Sequence, residues 1–173
     1  MKKITLLFSA LITLIIFESC SGDDTMIEFN DPSNILEEEL TYLHNDNIKK
    51  WKLTKYYSAY RDDQLDTDLT NCFQDDTYIF LADNTASNTE FGNNSCYANY
   101  PEVSDEISSA VYSYYPDAQS LYLDFTRGYY SSQDNTTSLT LIILKCILLT
   151  PEKMIFTNGV ENSGIGLVFE KVG

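Results

Sequence analysis

Few residues of this chain have the type and spacing that catalysis or metal binding requires. His44, the single histidine, would have to serve any nucleophile-base pair, and it lies in a predicted helix ahead of the strands. We expect it at the surface, at the end of this helix. The 26 acidic residues could supply a glycosidase-like carboxylate pair, but no pair stands out. One histidine and widely spaced cysteines do not match a zinc site. We therefore predict that the protein is not an enzyme and has no metal site or cofactor.

One acidic segment, Arg61 to Asn71 together with Asp75 and Asp76, is a candidate for calcium. Carboxylates at alternating positions suit an oxygen-ligand site. The segment lacks the central Gly and the final Glu of a calcium loop. A solvated loop is therefore the favoured interpretation, and calcium is the alternative. Between Arg61 and Asn71 the acidic residues are Asp62, Asp63, Asp66 and Asp68.

The N-terminus has the pattern of a secretory signal. Met1-Lys2-Lys3 precedes an almost unbroken apolar run, Ile4 to Phe17. That run is shorter than the roughly 20 residues of a membrane span, and it fits the apolar region of a signal peptide. We predict a signal peptide over residues 1–19 and an acidic tether over residues 20–30.

The residues that follow the apolar run resemble those of bacterial lipoproteins. Ser19-Cys20 resembles a lipobox, which implies cleavage before Cys20 and acylation of its thiol. Ser21-Gly22-Asp23-Asp24 resembles the acidic tag that directs Bacteroidota lipoproteins to the cell surface. The resemblance implies an outer-membrane lipoprotein, held by lipid on Cys20 and exposed at the cell surface. A periplasm-facing anchor and a plain signal peptide cut elsewhere are the alternatives.

The charge of the chain favours solubility over binding to anionic partners. The formal net charge is −15, from 26 acidic and 11 basic residues. A surface so acidic repels phosphate backbones, which argues against nucleic acid as a partner. It also repels anionic membrane surfaces, so attachment is expected to come from lipid.

Residues 31–173 are expected to form one all-β domain behind a short helix. Asp31-Pro32-Ser33 is typical of a helix start, and Leu36, Leu40 and Leu43 share one helical face. From Ile48 the apolar residues alternate, as in strands with one wet face. We count eight strands joined by short turns, which predicts an eight-stranded up-and-down antiparallel barrel. A flattened sandwich is the alternative.

Three segments of this predicted barrel carry specific expectations. Gly128 to Thr137 is expected to be a long polar loop. Leu139 to Leu149 is apolar on both faces and is expected to be the most buried strand. Asn158-Gly159 is a strong hairpin signal.

Three cysteines remain once Cys20 is assigned to lipid, and they allow three pairings. Disulfides persist outside the inner membrane. Cys146 lies inside the most apolar strand and suits a buried thiol, which favours a bond between Cys72 and Cys96. Such a bond would contribute about 3 kcal/mol by loop closure.

The chain from Ile48 to Val172 resembles the lipocalin-like domain of Bacteroidota lipoproteins. The resemblance rests on Trp51, on Cys72 with the run Asp75 to Phe80, on Cys96, and on the closing residues Thr150 to Met154 and Phe169 to Val172. Lys49 stands where the Gly of a Gly-x-Trp opening would be. The family implies a ligand-binding barrel or binding module without catalysis.

Two functions follow as expectations. The first is binding of a small apolar or amphipathic molecule in a cavity lined by Tyr78, Phe80, Leu123 and Phe125. The second is a filled barrel that presents tyrosine-rich loops to a glycan or a protein partner. The tyrosines expected to line such a mouth are Tyr112, Tyr114, Tyr115, Tyr129 and Tyr130.

Overall fold

A computed structural model of the chain describes residues 34–83, 88–100 and 102–173. The signal peptide, the tether, Cys20 and the expected helix start at Asp31 lie outside these residues. The first of three short 3-10 helices in the described residues, Glu37–Glu39, leads into helix α1. The further elements, in chain order, are α1 (Leu40–His44), β1 (Ile48–Ala59), β2 (Gln64–Leu65), α2 (Thr67–Phe73), β3 (Thr77–Leu81), β4 (Asn88–Glu90), β5 (Val103–Tyr115), β6 (Ser120–Ser131), β7 (Thr136–Leu149), β8 (Lys153–Thr157) and β9 (Gly166–Lys171).

The sheet is an antiparallel, nearly closed barrel of eight strands, as predicted. Its hydrogen-bonded order is β4-β3-β1-β9-β8-β7-β6-β5, and the short β2 pairs only with β1. The first long strand therefore lies beside the last, with Leu53 opposite Phe169. The two end strands of this order, β4 and β5, contact each other and bring the sheet almost to closure.

Large apolar side chains fill the barrel. The alternation seen in the sequence places one face of every long strand inward, because successive side chains of a strand point to opposite sides. The inward rings pack edge to face, and Phe169 contacts Tyr78, Phe80 and Phe156. The largest fully buried side chains are Trp51, Tyr78, Phe73, Phe80, Phe125, Phe156, Phe169, Leu43, Leu53, Leu121, Leu123 and Leu144.

Helix α1 covers the end of the barrel at which β1 begins. It ends at His44, and Asn45 adopts the left-handed conformation that commonly terminates helices. The Lys49 amine donates hydrogen bonds to the carbonyl oxygens of Tyr42 and Pro151 and lies 4.3 Å from the centre of the Trp51 ring. Lys49 therefore joins α1 to the turn before β8, a role that a glycine at this position could not fill.

His44 is buried, so its expected place on the surface is wrong. Its Nδ1 accepts a hydrogen bond from the main-chain N–H of Asp46, and its ring stacks on Tyr112. Burial lowers the pKa of His44, and the nearby Asp46 carboxylate opposes this shift. The histidine thus completes the contact between α1 and the barrel.

Two segments expected to be loops have regular structure. Helix α2 begins inside the predicted acidic loop and runs two residues past its end, and the Asp66 carboxylate caps the helix by accepting from the Leu69 N–H at 2.9 Å. The predicted loop from Gly128 to Thr137 is mostly strand, because β6 runs to Ser131 and β7 starts at Thr136. Both misjudged segments are polar, and both lie at the barrel end opposite α1.

The outer face of β7 is exposed, so the prediction of burial on both faces is wrong. Leu139, Leu141 and Ile143 are between 56% and 59% exposed, while Ile142 and Leu144 point into the core. Strand β8 pairs only with the last residues of β7, from Lys145 onward. Among the residues that the structure describes, the stretch from Thr136 to Leu144 therefore has a strand partner on one side only.

Candidate functional site

The four side chains expected to line a ligand cavity lie in the packed core. Tyr78, Phe80, Leu123 and Phe125 are all essentially inaccessible to solvent. The rings of Tyr78 and Phe125 lie 5.8 Å apart, and the Tyr78 hydroxyl is within hydrogen-bond distance of Ser108 Oγ at 3.1 Å. That these four side chains bind an apolar ligand stays a prediction. The close packing of their rings does not favour such a ligand.

The cysteines follow the favoured assignment wherever the structure describes them. Cys72 and Cys96 form a disulfide, with their Cα atoms 5.0 Å apart. Cys146 is a buried free thiol whose Sγ donates to the Leu148 carbonyl oxygen, and burial raises its pKa to about 12. Acylation of Cys20 lies outside the described residues.

Two adjacent carboxylates hold the loop that leads from β4 to Cys96. Asp75 accepts hydrogen bonds from the N–H groups of Asn93 and Asn94, and Asp76 accepts from that of Gly92 at 2.9 Å. A Cβ at Gly92 would lie 2.1 Å from the Asp75 carboxyl carbon, so only glycine allows this approach. The run Cys72 to Asp76 thus fastens the next loop by one covalent bond and three hydrogen bonds.

Part of the acidic segment is structural, whereas Asp62, Asp63 and Asp68 are exposed, as expected of a solvated loop. Asp66 caps α2, and Asp75 and Asp76 bind main-chain N–H groups, so these carboxylates already have partners in the protein. Within the described ranges no three acidic, histidine or cysteine side chains cluster in a way that could hold a metal ion.

The loop continues past Cys96 towards β5, and there it contributes two tyrosines to an open cleft at the barrel end opposite α1. Tyr97 and Tyr100 from this loop meet Tyr129 from β6, with ring centres 4.9 Å apart for Tyr97 and Tyr129 and 6.2 Å apart for Tyr100 and Tyr129. The cleft has a volume of about 320 Å³. We name it the tyrosine cleft; it is lined by Leu69, Cys96, Tyr97, Tyr100, Arg127, Gly128, Tyr129, Ser138 and Thr140.

Among the residues that the structure describes, Arg127 is the only charged one that lines the tyrosine cleft. Its guanidinium carbon lies 5.7 Å from the centre of the Tyr56 ring and 6.0 Å from that of Phe73, so the side chain is held against two aromatic faces. No hydrogen bond or ion pair to the guanidinium occurs in the part of the chain that the structure describes. Its N–H donors are therefore available to a ligand.

The Arg127 charge also acts on the neighbouring tyrosine hydroxyls, in opposition to burial. Burial raises the pKa of Tyr97, and the Arg127 charge opposes that rise while the Glu106 carboxylate adds to it. Burial raises the pKa of Tyr56 as well, again opposed by Arg127. Both phenols stay protonated near neutral pH and can donate hydrogen bonds.

A second cleft, of about 530 Å³, lies beside α1 and contains Lys49. The amine of Lys49 is already occupied by the carbonyl oxygens of Tyr42 and Pro151. Glu152 and Lys171, also in its wall, form an ion pair with each other. The three charged groups Lys49, Glu152 and Lys171 of this cleft thus have partners within the protein, unlike the guanidinium of the tyrosine cleft.

The tyrosines expected at a mouth have separate places. Tyr129 lines the cleft, whereas Tyr112 and Tyr114 donate to the carbonyl oxygens of Leu81 and Ile35 at the α1 end. Tyr115 is exposed and packs on Tyr122, and Tyr130 donates to the Asn135 side chain.

Sequence reasoning missed Tyr97, Tyr100 and Arg127. The alternation of β6 does contain a signal for Arg127. Every second residue of this strand points inward, at Leu121, Leu123 and Phe125, and the same spacing places residues 127 and 129 on the inner face. An arginine on the inner face of a barrel strand needs either a partner or a ligand.

No described helix is long and apolar enough to cross a membrane.

The barrel fold is compatible with a ligand-binding module. Comparisons with protein-family models, with curated proteins and with solved structures give no match to this chain. The resemblance to the lipocalin-like domain of Bacteroidota lipoproteins therefore stays a prediction.

Proposed function

We propose that the protein is a non-catalytic binding module that holds a carbohydrate in the tyrosine cleft. The observation that carries this proposal is the meeting of three tyrosine rings, from two separate segments, around one open cleft. Sugar rings present apolar C–H faces and polar edges. Tyrosine, with an apolar ring and a polar tip, complements both.

The contrast between the barrel interior and its end supports this choice. The interior is packed with aromatic and aliphatic side chains, whereas Tyr100 at the cleft is 51% exposed. The volume of about 320 Å³ lies at the lower end of the range typical of ligand sites, which suits one or a few sugar rings. The hydroxyls of Ser138 and Thr140 add donors and acceptors on the β7 side.

A glycan array probed with the full chain, purified in detergent, tests the proposal. We expect binding to a subset of oligosaccharides and its loss in Tyr100→Ala and Tyr129→Ala. Removing one aromatic contact should weaken binding by about 1–2 kcal/mol, or roughly tenfold. Tyr115→Ala is the matched control, because Tyr115 is equally exposed but lies outside the cleft.

Two results would count against the proposal. One is the absence of binding to every saccharide on the array by a folded protein. The other is equal weakening by the Tyr115 and Tyr100 variants. Binding of a fatty acid or another apolar probe that survives both cleft variants would instead favour a site in the barrel interior.

We also propose that the module is tethered to the outer membrane through acylated Cys20, facing outward. The support is the sequence alone, a 14-residue apolar run (Ile4 to Phe17) that ends just before Ser19-Cys20. Labelled palmitate should enter the wild-type protein and not Cys20→Ala. Protease added to intact cells should degrade an outward-facing module and spare a periplasm-facing one.

A further inference from the structure

We infer that the tyrosine cleft takes an acidic saccharide, and that Arg127 binds the carboxylate of a uronic-acid-type residue. This inference rests on the proposed function and names its ligand class. It starts from the guanidinium, which has no hydrogen bond or ion pair within the described ranges although the chain carries 26 acidic residues.

The other arginine of the chain provides the contrast. Arg61 forms an ion pair with Glu161 at the surface. Arg127 is half-buried and has no acidic residue among its neighbours in the cleft wall, which is otherwise uncharged. In an acidic protein, a cleft whose sole charge is positive selects for a negative group.

The setting of Arg127 favours a carboxylate as that group. A guanidinium presents its N–H donors in a planar fork that matches the two oxygens of a carboxylate. Stacking against Tyr56 and Phe73 orients the fork before any ligand arrives. Partial burial strengthens a charged hydrogen bond relative to one in bulk water.

The rest of the molecule limits how much negative charge the ligand carries. The net charge of −15 repels a polymer with closely spaced anionic groups, such as nucleic acid or a heavily sulfated chain. One carboxylate on an otherwise neutral sugar avoids most of this repulsion. Its ring can still stack on Tyr100 or Tyr129, and its hydroxyls can reach Ser138 and Thr140.

A disaccharide of one galacturonic acid and one neutral sugar, and its methyl ester, form the probe pair, since esterification removes the single charge and adds only one methyl group. Isothermal titration calorimetry with the full chain in detergent should show tighter binding of the acid. Arg127→Gln should weaken acid binding roughly 10- to 100-fold, as expected for the loss of a charged hydrogen bond. Binding of the ester should hardly change.

Arg127→Lys and Arg61→Gln complete the set. The lysine variant keeps the charge without the fork and should recover only part of the affinity. The Arg61 variant removes an arginine outside the cleft and should leave both titrations unchanged. A thermal unfolding curve for each variant shows whether the fold is retained.

The outcomes separate this inference from the proposed function. If acid and ester bind equally and both depend on Tyr129, the proposed function stands and the carboxylate preference is overturned. If the glycan array of neutral, uronate and sulfated sugars shows no binding at all, both fail. A preference for sulfated sugars overturns the inference alone, whereas a preference for an acidic peptide spotted on the same array overturns both.

Discussion

The Trp51 indole N–H donates a hydrogen bond to the main-chain carbonyl oxygen of Leu43 across 2.8 Å. Both side chains are fully buried. The bond joins the first long strand to the last turn of α1 and satisfies a carbonyl that the short helix leaves unpaired at its end. Through this contact the helix covers one end of the barrel, and the tyrosine cleft lies at the opposite end.

Trp51→Phe should destabilise the fold by about 2–4 kcal/mol. The variant leaves the Leu43 carbonyl buried without a donor and opens space in a packed core. Urea unfolding followed by far-UV circular dichroism measures the change. Tyr115→Phe, a substitution at an exposed ring, should stay within about 0.5 kcal/mol of wild type. A loss no larger than that of this control would contradict the role given to the indole.

Removal of the disulfide should weaken both stability and ligand binding. Cys72→Ser combined with Cys96→Ser should lower the free energy of unfolding by about 3 kcal/mol, because the unfolded chain regains the freedom that loop closure removes. The same bond anchors the loop that carries Tyr97 and Tyr100, so saccharide binding should fall as well. Unfolding curves and glycan-array signals measure the two effects.

Chemical reduction of the wild-type protein is the matching control for the serine variants. It opens the same bond and leaves every residue in place. The free Cys146 does not complicate the comparison, because it is buried and unbonded to another cysteine. Unfolding curves that coincide with and without reductant would contradict a stabilising role for the disulfide.

The alternation of apolar residues predicted most of the barrel because it is local information. Trp51 and Leu53, or Leu121 and Leu123, alternate with polar residues, and each such strand occurs in the structure. The position of β1 beside β9 followed from closing a meander of neighbouring strands. The bond between Cys72 and Cys96 was predicted by excluding Cys146, because Cys146 lies in the most apolar stretch and suits a buried thiol.

The candidate site depended on information that the local pattern does not carry. Helix α2 is only seven residues long, with the polar capping residue Asp66, and its helical period is too short to recognise. Tyr97 and Tyr100 lie in a loop, and their approach to Tyr129 is set by long-range contacts of Asp75 and Asp76. Such contacts join residues distant in sequence, which no periodicity reveals.

Ionisation of the Asp76 carboxyl should lower the free energy of unfolding as the pH rises. Its side chain is buried at 3% exposure, and burial raises its pKa from 3.8 to about 6 despite the hydrogen bond from Gly92. Between these two values the folded state binds more protons than the unfolded state. This contribution is therefore fully present below pH 3.8 and is lost as the pH rises through about 6.

Asp76→Asn isolates this effect, because asparagine can still accept from Gly92 but does not titrate. The stability of the variant relative to wild type should increase by about 1–2 kcal/mol across this pH window. Titrating groups that do not interact with Asp76, such as His44, are common to both proteins and cancel in the difference, whereas the charges of Asp75 and Glu106 act on Asp76 and are part of the effect. Denaturant unfolding at a series of pH values gives the curve, and a difference that does not vary with pH would contradict the prediction.

One substitution at two positions of β7 tests which face of this strand is buried. Leu144→Ala should cost about 2–5 kcal/mol, because Leu144 is 0% exposed and its removal leaves a cavity in the core. Leu141→Ala should change stability by less than about 0.5 kcal/mol, because Leu141 is 59% exposed on the outer face. Both variants lose the same atoms from the same strand, so the difference between them reports burial alone. Equal losses in urea unfolding would mean that the outer face of β7 is covered in solution, as the apolar pattern of the strand first indicated.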